Sequence, residues 1–304
     1  MRLKKICILF LIVMTISSCE FVQKNDIPEL SLKMAYRVNG PPHLQPSGLA
    51  IWQDTLFTIS DRHDSTIFFL DFQDSTVNFV PYINFKVPSV KSLGRIDFEG
   101  ITVDSAGDFY LVSEALFRIL KIERDTGIST WISPDLKSFG KNANLFQVRN
   151  ANFEGITLLG HPNHFLLCAE RQPRGLMEIK FDADSFMVEA FNMDSSIYKF
   201  QSGIPSDFAG LCYHDGKIYG LVRNAYVVCV LELIHGKYRE ANGWSYAKTE
   251  RNPLYHYHNM KYGRAEGLCL DSKNVYIILD NNGNYRTKRP HDNHPLLFVF
   301  ERPY

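Results

Sequence analysis

The sequence predicts an all-β fold built from repeated small sheets, and three observations support this. A short motif with a glycine before an apolar residue recurs at steps of 52, 55, 55 and 57 residues, with its glycines at 48, 100, 155, 210 and 267. A second apolar, β-rich run follows each motif. No stretch shows a sustained helical period. A period of this length indicates the blades of a β-propeller. We therefore predict one propeller domain over residues 31–304 with five four-stranded blades, and six blades as the alternative.

The second repeat shows the strand pattern of one blade most clearly. Residues 98–103 and 108–113 are apolar runs joined by a Ser-Ala-Gly turn. Residues 117–123 and 128–133 follow and are joined by a turn that ends in Asp-Thr-Gly. Four short antiparallel strands joined by turns form one propeller blade.

The third and fourth repeats follow the same plan. The third continues through residues 175–181 and 186–191, and the fourth through 227–234 and a segment at 244–248. The first repeat is a degenerate copy that begins at residues 46–49. The third and fourth repeats therefore also contain candidates for the outer strands of a blade.

The two ends of the repeat region predict how the ring closes. The fifth repeat has strand-like runs at 266–270, 275–280 and 296–301 but lacks a fourth. Residues 31–38 form an orphan strand ahead of the first repeat. Placing this strand at the outside of the last blade completes that blade and protects an open sheet edge.

The N-terminus has the features of an export signal. Residues 1–18 contain three basic residues, an apolar run over 6–16 and the small residues before Cys19. This resembles the bacterial lipobox, so we predict a signal peptide over 1–18 and a lipid on Cys19, palmitate included. Residues 19–30 are predicted to tether the domain to the membrane. We expect a bacterial cell-envelope lipoprotein, in the outer membrane and periplasmic or surface-facing; the alternative is an ordinary signal peptide.

Composition and cysteine usage narrow the classes of partner. The formal charge is zero, so nothing indicates a nucleic acid partner. We predict a monomer. Four cysteines remain besides those of the leader, and each lies in an apolar strand run, so we predict buried free thiols. They lack zinc-ligand spacing. The absence of a Gly-x-Ser-x-Gly motif disfavours an elbow-type serine hydrolase.

The repeats are predicted to gather acidic side chains at one end of the hub. The inner strands of all blades converge at this end, which we call the mouth. We expect two sets of side chains to face it: those of the residues before the repeat glycines, and those of the residues that end the second strands. The predicted carboxylates are Glu99, Glu154, Glu266, Asp61, Glu114, Glu170 and Asp280. Converging carboxylates repel one another unless cations share their site.

Two kinds of cation are predicted to share this mouth. Oxygen-only ligands suit Ca²⁺ or Mg²⁺, and we predict Ca²⁺. Arginines beside the repeat acids are predicted to bind a small anionic ligand: Arg62, Arg171, Arg174, Arg223 and Arg264. The structural alternative is that Glu–Arg pairs and backbone hydrogen bonds simply tie neighbouring blades together.

The motifs themselves carry a resemblance. Residues 98–101, 152–156 and especially 170–179, Glu-Arg-Gln-Pro-Arg-Gly-Leu-Met-Glu-Ile, resemble the SdiA-regulated bacterial propeller family. The chain is also similar, more loosely, to the domain called esterase-like activity of phytase. Both resemblances imply an envelope or secreted propeller with a polar, often cation-linked channel mouth. Ser47 and Ala209 depart from the glutamate pattern, so the ring of acids is lopsided.

Two functional hypotheses follow from these observations. The first is an envelope lipoprotein whose channel mouth binds a small anionic ligand or an envelope protein, together with Ca²⁺. The second is a Ca²⁺-assisted hydrolase of phosphate or carboxylate esters. In that case Glu99, Glu154 and Glu266 would hold the cation, with Asp61, Glu114, Glu170 or Asp280. The anionic substrate would be bound by Arg171, Arg174, Arg223 and Arg264.

Overall fold

The structure is a computed structural model that describes residues 27–90, 95–183 and 185–303. The predicted signal peptide and Cys19 lie outside the described residues, as does most of the predicted tether. None of the helices in the described part reaches the length and apolarity of a transmembrane span.

Strands dominate the described part of the chain, with two short α-helices and a 3₁₀ helix (Arg223–Ala225) between them. In chain order the strands are β1 (Leu32–Asn39), β2 (Pro46–Trp52), β3 (Thr55–Ser60), β4 (Thr66–Phe72), β5 (Thr76–Asn84), β6 (Phe98–Val103), β7 (Phe109–Ser113), β8 (Arg118–Ile122), β9 (Ser129–Trp131), β10 (Phe153–Leu158), β11 (His164–Ala169), β12 (Gly175–Phe181), β13 (Phe186–Asn192), β14 (Gly210–His214), β15 (Lys217–Val222), β16 (Val227–Ile234), β17 (Lys237–Ser245), β18 (Ala265–Leu270), β19 (Asn274–Leu279) and β20 (Leu296–Glu301). The α-helices are α1 (Lys137–Asn142) and α2 (Ala247–Glu250). The prediction of an all-β protein is therefore confirmed.

The strands form three four-stranded sheets and one eight-stranded sheet. The sheets β6–β9, β10–β13 and β14–β17 are antiparallel and follow chain order. The eight-stranded sheet has the order β18-β19-β20-β1-β5-β4-β3-β2. Its strand β1 pairs antiparallel with β20, which confirms the expected position of the orphan strand. An unpredicted parallel contact of three residue pairs joins β1 to β5.

The repeat glycines lie next to one another around the hub. A methyl group added to Gly100 would lie 2.8 Å from the Cα of Gly155, and one added to Gly155 would lie 2.9 Å from the Cα of Gly210. On the other side of the ring, a methyl group on Gly267 would lie 2.7 Å from the carbonyl carbon of Gly48. Only glycine permits such close approach of inner strands. The predicted convergence of these strands is confirmed, and the arrangement is that of a β-propeller.

The hub is filled at the level of these glycines and the core lies between the sheets. The space enclosed by the inner strands there is about 10 Å³, too small for an open channel. Apolar side chains such as Phe109, Leu111 and Phe165 are fully buried between neighbouring sheets. Each such side chain contributes roughly 1.5–3 kcal/mol to the stability of the fold. The four cysteines of the described part are free and buried, as predicted.

The outer strand of the fourth repeat differs from the prediction. The strand is Lys237–Ser245 rather than 244–248, and the predicted segment continues past the end of this strand into the first two residues of α2. His235 and Gly236 both have positive φ and form a tight turn directly after β16. This turn makes a hairpin, so β17 begins earlier along the chain.

Candidate functional site

Two backbone features place acidic side chains at one end of the hub. In β6, β10 and β18 the register shifts at the residue before the glycine, so Glu99, Glu154 and Glu266 are the extra residues of β-bulges. A bulge turns a side chain out of the regular sheet pattern. In addition, a backbone hydrogen bond recurs in four of the five repeats. Its donor is the amide of the residue that follows the second strand, and its acceptor is the carbonyl oxygen of the residue three positions before the repeat glycine. These bonds are Asp61 to Gln45 (3.2 Å), Glu114 to Asp97 (2.8 Å), Glu170 to Asn152 (2.7 Å) and Asp280 to Arg264 (2.8 Å).

Three carboxylates meet closely at this mouth. One oxygen from each of Asp61, Asp97 and Glu99 lies within 4.8 Å of the others, and we call this group the acidic cluster. Asp97 reaches it from a backbone with a φ of 58°, a conformation that aspartate tolerates better than most residues. The exposed Arg95 contacts Asp61 at 2.7 Å and Asp97 at 2.9 Å. A second exposed guanidinium, that of Arg62, lies 3.7 Å from Asp61, so two exposed arginines face the three carboxylates.

The acidic cluster carries negative charge that the described residues do not fully neutralise. Burial raises the pKa of Asp61 to about 6, although Arg95 opposes the shift. Burial, with repulsion from Asp97 and Asp61, raises the pKa of Glu99 well above its usual range. The pKa of Glu154 is raised in the same way, by burial and then by Glu99. Such a group of carboxylates favours either protons or a bound cation.

The other side of the mouth is neutralised by one arginine. The nearly buried Arg223 donates to Asp207 at 2.9 Å, to Glu170 at 2.5 Å and to Glu266 at 2.6 Å. We call these four residues the Arg223 network. Burial alone would lower the pKa of Arg223, but Glu266 and Asp207 raise it well above its usual value. Burial also raises the pKa of Glu266 to about 7 against the effect of Arg223.

Several predicted residues tie neighbouring blades together at the mouth. The Glu114 carboxylate accepts a hydrogen bond from the Asn152 amide at 3.2 Å. Asp280 accepts one from the Gln45 side chain at 3.2 Å. Both bonds cross between successive repeats. The structural role that the sequence left open as an alternative is therefore present for these two acids.

The predicted arginines are divided between the mouth and the interior. Arg171 pairs with Glu170 at the mouth and is partly exposed. Arg264 lies there too, and its amide donates to the buried Glu250 at 2.7 Å. Arg174 is not brought to the mouth.

Arg174, which the sequence placed among the anion-binding residues, has a fully buried side chain. It pairs with Glu240 at 2.7 Å. Its guanidinium stacks on Phe208, 4.4 Å from the ring centre, and donates to the carbonyl oxygen of Met193 at 2.8 Å. The physical reason is its position immediately before β12, where its side chain enters the interior between blades. The anion-binding assignment of Arg174 is corrected to a structural one.

Asp97 and Asp207 also lie at the mouth, although neither was predicted from the sequence. Both lie three residues before a repeat glycine. That position is polar in all five repeats, with Gln45, Asp97, Asn152, Asp207 and Arg264. The shared polarity of this position was the signal that could have identified them.

A second cavity adjoins the acidic cluster. Its volume is about 910 Å³, and Arg62, His43, His63 and His294 line it. The Nε atom of Arg62 lies 3.7 Å from a carboxylate oxygen of Asp61, which connects the two sites. Cationic and imidazole donors therefore face solvent beside the carboxylates. We call this space the basic pocket.

Comparisons with known proteins support the fold and one of the resemblances. The family model "Phytase-like: Esterase-like activity of phytase" matches residues 45–185, just under half of the chain. This match supports the phytase-like resemblance of the two that the motifs suggested. A search of curated protein sequences finds no match.

Two solved structures share the overall fold at low sequence identity. Glutaminyl cyclase of Myxococcus xanthus is 13% identical over 91% of this chain and 100% of its own, with a TM-score of 0.54. The PQQ-bound aldose sugar dehydrogenase of Streptomyces coelicolor is 14% identical over 90% of this chain and 98% of its own, with a TM-score of 0.50. Both similarities support the propeller fold alone.

Proposed function

We propose that the mouth of the hub binds a divalent cation through Asp61, Asp97 and Glu99, and binds a small anionic ligand beside it. The observation that carries this proposal is the convergence of three carboxylate oxygens within 4.8 Å of one another. One oxygen of Asp61 is buried and receives no hydrogen bond from the described residues, which fits a cation ligand. A donor set of oxygens alone suits Ca²⁺.

The basic pocket is the proposed seat of the anionic ligand. Arg62 adjoins Asp61, so an anion held by Arg62 would lie close to a cation in the acidic cluster. The Arg62 side chain is 46% exposed and remains available to a ligand. A phosphate or carboxylate group fits this pairing, because it can contact a guanidinium and a hard cation at once.

We also propose a blade count and a cellular location for the domain. We count the eight-stranded sheet as two four-stranded blades, which gives five blades with β1 completing the last. We further propose that Cys19 is lipidated and holds the domain at the bacterial cell envelope. The lipobox-like sequence before Cys19 supports this.

Hydrolysis of a phosphate or carboxylate ester is the second candidate function. The observation that favours it is the family match over residues 45–185, which includes all three members of the acidic cluster. When bound, a divalent cation supplies electrostatic stabilisation of a reacting ester oxygen. Glu154 lies close enough to Glu99 to be repelled by it, and a bound cation would favour its carboxylate form. In that form Glu154 would accept a proton from the attacking water. Arg62 and Arg95 would orient the anionic group.

Calcium titration by calorimetry tests the primary proposal. We expect saturable binding by the purified protein, weakened at least tenfold in Asp97→Asn and in Glu99→Gln. Asp125→Asn is the matched control, because its carboxylate is 78% exposed on a distant turn. Equal affinity in all three variants, or no binding and no thermal shift by Ca²⁺, would contradict the proposal.

A separate assay tests the second candidate. p-Nitrophenyl phosphate and p-nitrophenyl acetate are supplied with Ca²⁺ or with a chelator. We expect a chelator-sensitive rate that is lost in Glu154→Gln while this variant still binds Ca²⁺. If the protein binds Ca²⁺ but hydrolyses neither ester, hydrolysis of these ester classes is rejected and the binding proposal stands.

A further inference from the structure

A wide groove lies at the end of the blades away from the repeat glycines. Its volume is about 1140 Å³. It runs past the turn between β14 and β15 and along the outer strands β16 and β17, with Arg302 at one side. We call it the distal groove. The distal groove is separate from the proposed cation and anion sites, which lie at the opposite end of the inner strands.

An aromatic pair forms part of the wall of the distal groove. The rings of Tyr219 and Trp244 stack with centres 5.8 Å apart and planes 21° apart. Val230 pairs with Tyr219 across β15 and β16 and also lines the groove. Trp244 is half-buried, so part of its surface faces the groove. The negative face of an aromatic ring attracts weakly positive C–H groups, such as those on one face of a sugar ring.

Polar side chains beside the aromatic pair are already held in place. Arg302 donates to Asp215 at 3.0 Å and to the Tyr219 hydroxyl at 3.4 Å. On the other side, Glu178 accepts from Lys180 at 2.9 Å and from the Tyr238 hydroxyl at 2.8 Å. Donors and acceptors that are already ordered bind hydroxyl groups at a smaller cost in conformational entropy.

The charges along the distal groove balance. Three carboxylates and three lysine or arginine side chains line it, together with the imidazole of His164: Glu178, Asp215, Glu232, Lys180, Lys217 and Arg302. A groove without net charge gives no general attraction to an anion or a cation. Its ligand is therefore expected to be neutral, rich in hydroxyl groups and able to stack on a ring.

We propose that the distal groove binds a neutral oligosaccharide, with a sugar ring against Trp244 and hydroxyl groups bonded to Arg302 and Asp215. The groove is larger than the 300–1,000 Å³ typical of pockets for a single small molecule. That size indicates a chain of several sugars rather than one. This inference is independent of the proposed cation site.

Calorimetry with neutral oligosaccharides tests the proposal. The probes are gluco-, xylo- and manno-oligosaccharides of two to six units, with an oligogalacturonate as the charged counterpart. We expect at least one neutral series to bind, more tightly with increasing length, and Trp244→Ala to weaken that binding at least tenfold. Phe72→Ala is the control, because Phe72 is an exposed aromatic on β4, paired edge-on with Tyr36 at 5.1 Å and outside the groove.

A second variant keeps the test decisive if Trp244→Ala does not fold. Val230→Arg retains both rings and places a long side chain into the groove, so it should also weaken binding at least tenfold. The proposal is overturned if none of the neutral series binds, or if only the oligogalacturonate binds. It is also overturned if a folded Trp244→Ala or Val230→Arg binds like the unmodified protein. Selective binding of peptides in place of sugars would likewise reject it.

Discussion

Replacing Arg223 with methionine removes the common counter-charge of three carboxylates. Arg223 contacts Asp207, Glu170 and Glu266 at 2.5–2.9 Å, and its side chain is only 10% exposed. Removing one partner of a buried ion pair costs about 3–5 kcal/mol, because the remaining charges stay buried without compensation. For a domain of this size, that corresponds to a fall in melting temperature of about 5–9 °C. Methionine retains much of the side-chain volume, so packing contributes little to this loss.

The pH dependence of this loss identifies its electrostatic origin. The pKa of Glu266 in the folded protein is raised to about 7 and would rise further without Arg223. A carboxyl group whose pKa is raised by folding stabilises the protein below its unfolded pKa, and this contribution is lost as the pH rises through the folded pKa. The penalty of Arg223→Met should therefore be largest at pH 8 and smaller at pH 5.

Urea unfolding of Arg223→Met and Arg171→Met at both pH values measures the effect. Arg171 contacts the same Glu170 but is 28% exposed. Its replacement should cost no more than about 1 kcal/mol. The electrostatic explanation is refuted if the two variants lose equal stability at pH 8, or if Arg223→Met loses more at pH 5.

Two further predictions concern the hub and the cation. Gly155→Ala should cost about 2 kcal/mol in urea unfolding, because its new methyl group would lie 2.9 Å from the Gly210 Cα and 3.0 Å from the Cys168 sulfur. Gly210→Ala should be nearly neutral, since its nearest contact would be 3.5 Å, and equal losses would contradict the ring geometry. Calcium affinity should fall at least tenfold from pH 8 to pH 5 in calorimetry, because protons compete for Asp61, whose pKa is raised to about 6, and for Glu99. An affinity independent of pH would exclude these carboxylates as ligands.

The repeat period allowed most of the fold to be predicted. The bounds of β6 and β12 agree residue for residue with the predicted runs 98–103 and 175–181, because short apolar, β-rich runs bounded by turn residues mark a strand locally. The parallel contact between β1 and β5 could not be predicted in this way. It depends on how the first and last sheets approach when the ring closes, which no local pattern encodes.

The candidate site was predicted in part for the same reason. Glu99 and Glu266 adjoin repeat glycines, so their shared position indicated a shared location. Asp97 was missed because its approach to Asp61 depends on a left-handed backbone and on contact between successive blades. Arg174 follows the motif by only a few residues, yet its side chain enters the interior. Proximity in sequence does not determine on which side of a sheet a side chain lies.

The fourth repeat explains why the mouth has two unlike sides. It has Ala209 where three other repeats have glutamate, and Arg223 where the other repeats have an acid. These two changes remove two negative charges and add a positive one at the same sector of the ring. Arg223 can therefore neutralise the acids of the flanking repeats from within the protein. The first and second repeats have no such internal arginine, and only the exposed Arg95 bridges Asp61 and Asp97. The exposed Arg95 and Arg62 are the basic side chains that contact these acids, so we propose the acidic cluster, rather than the centre of the ring, as the binding site of a cation from solution.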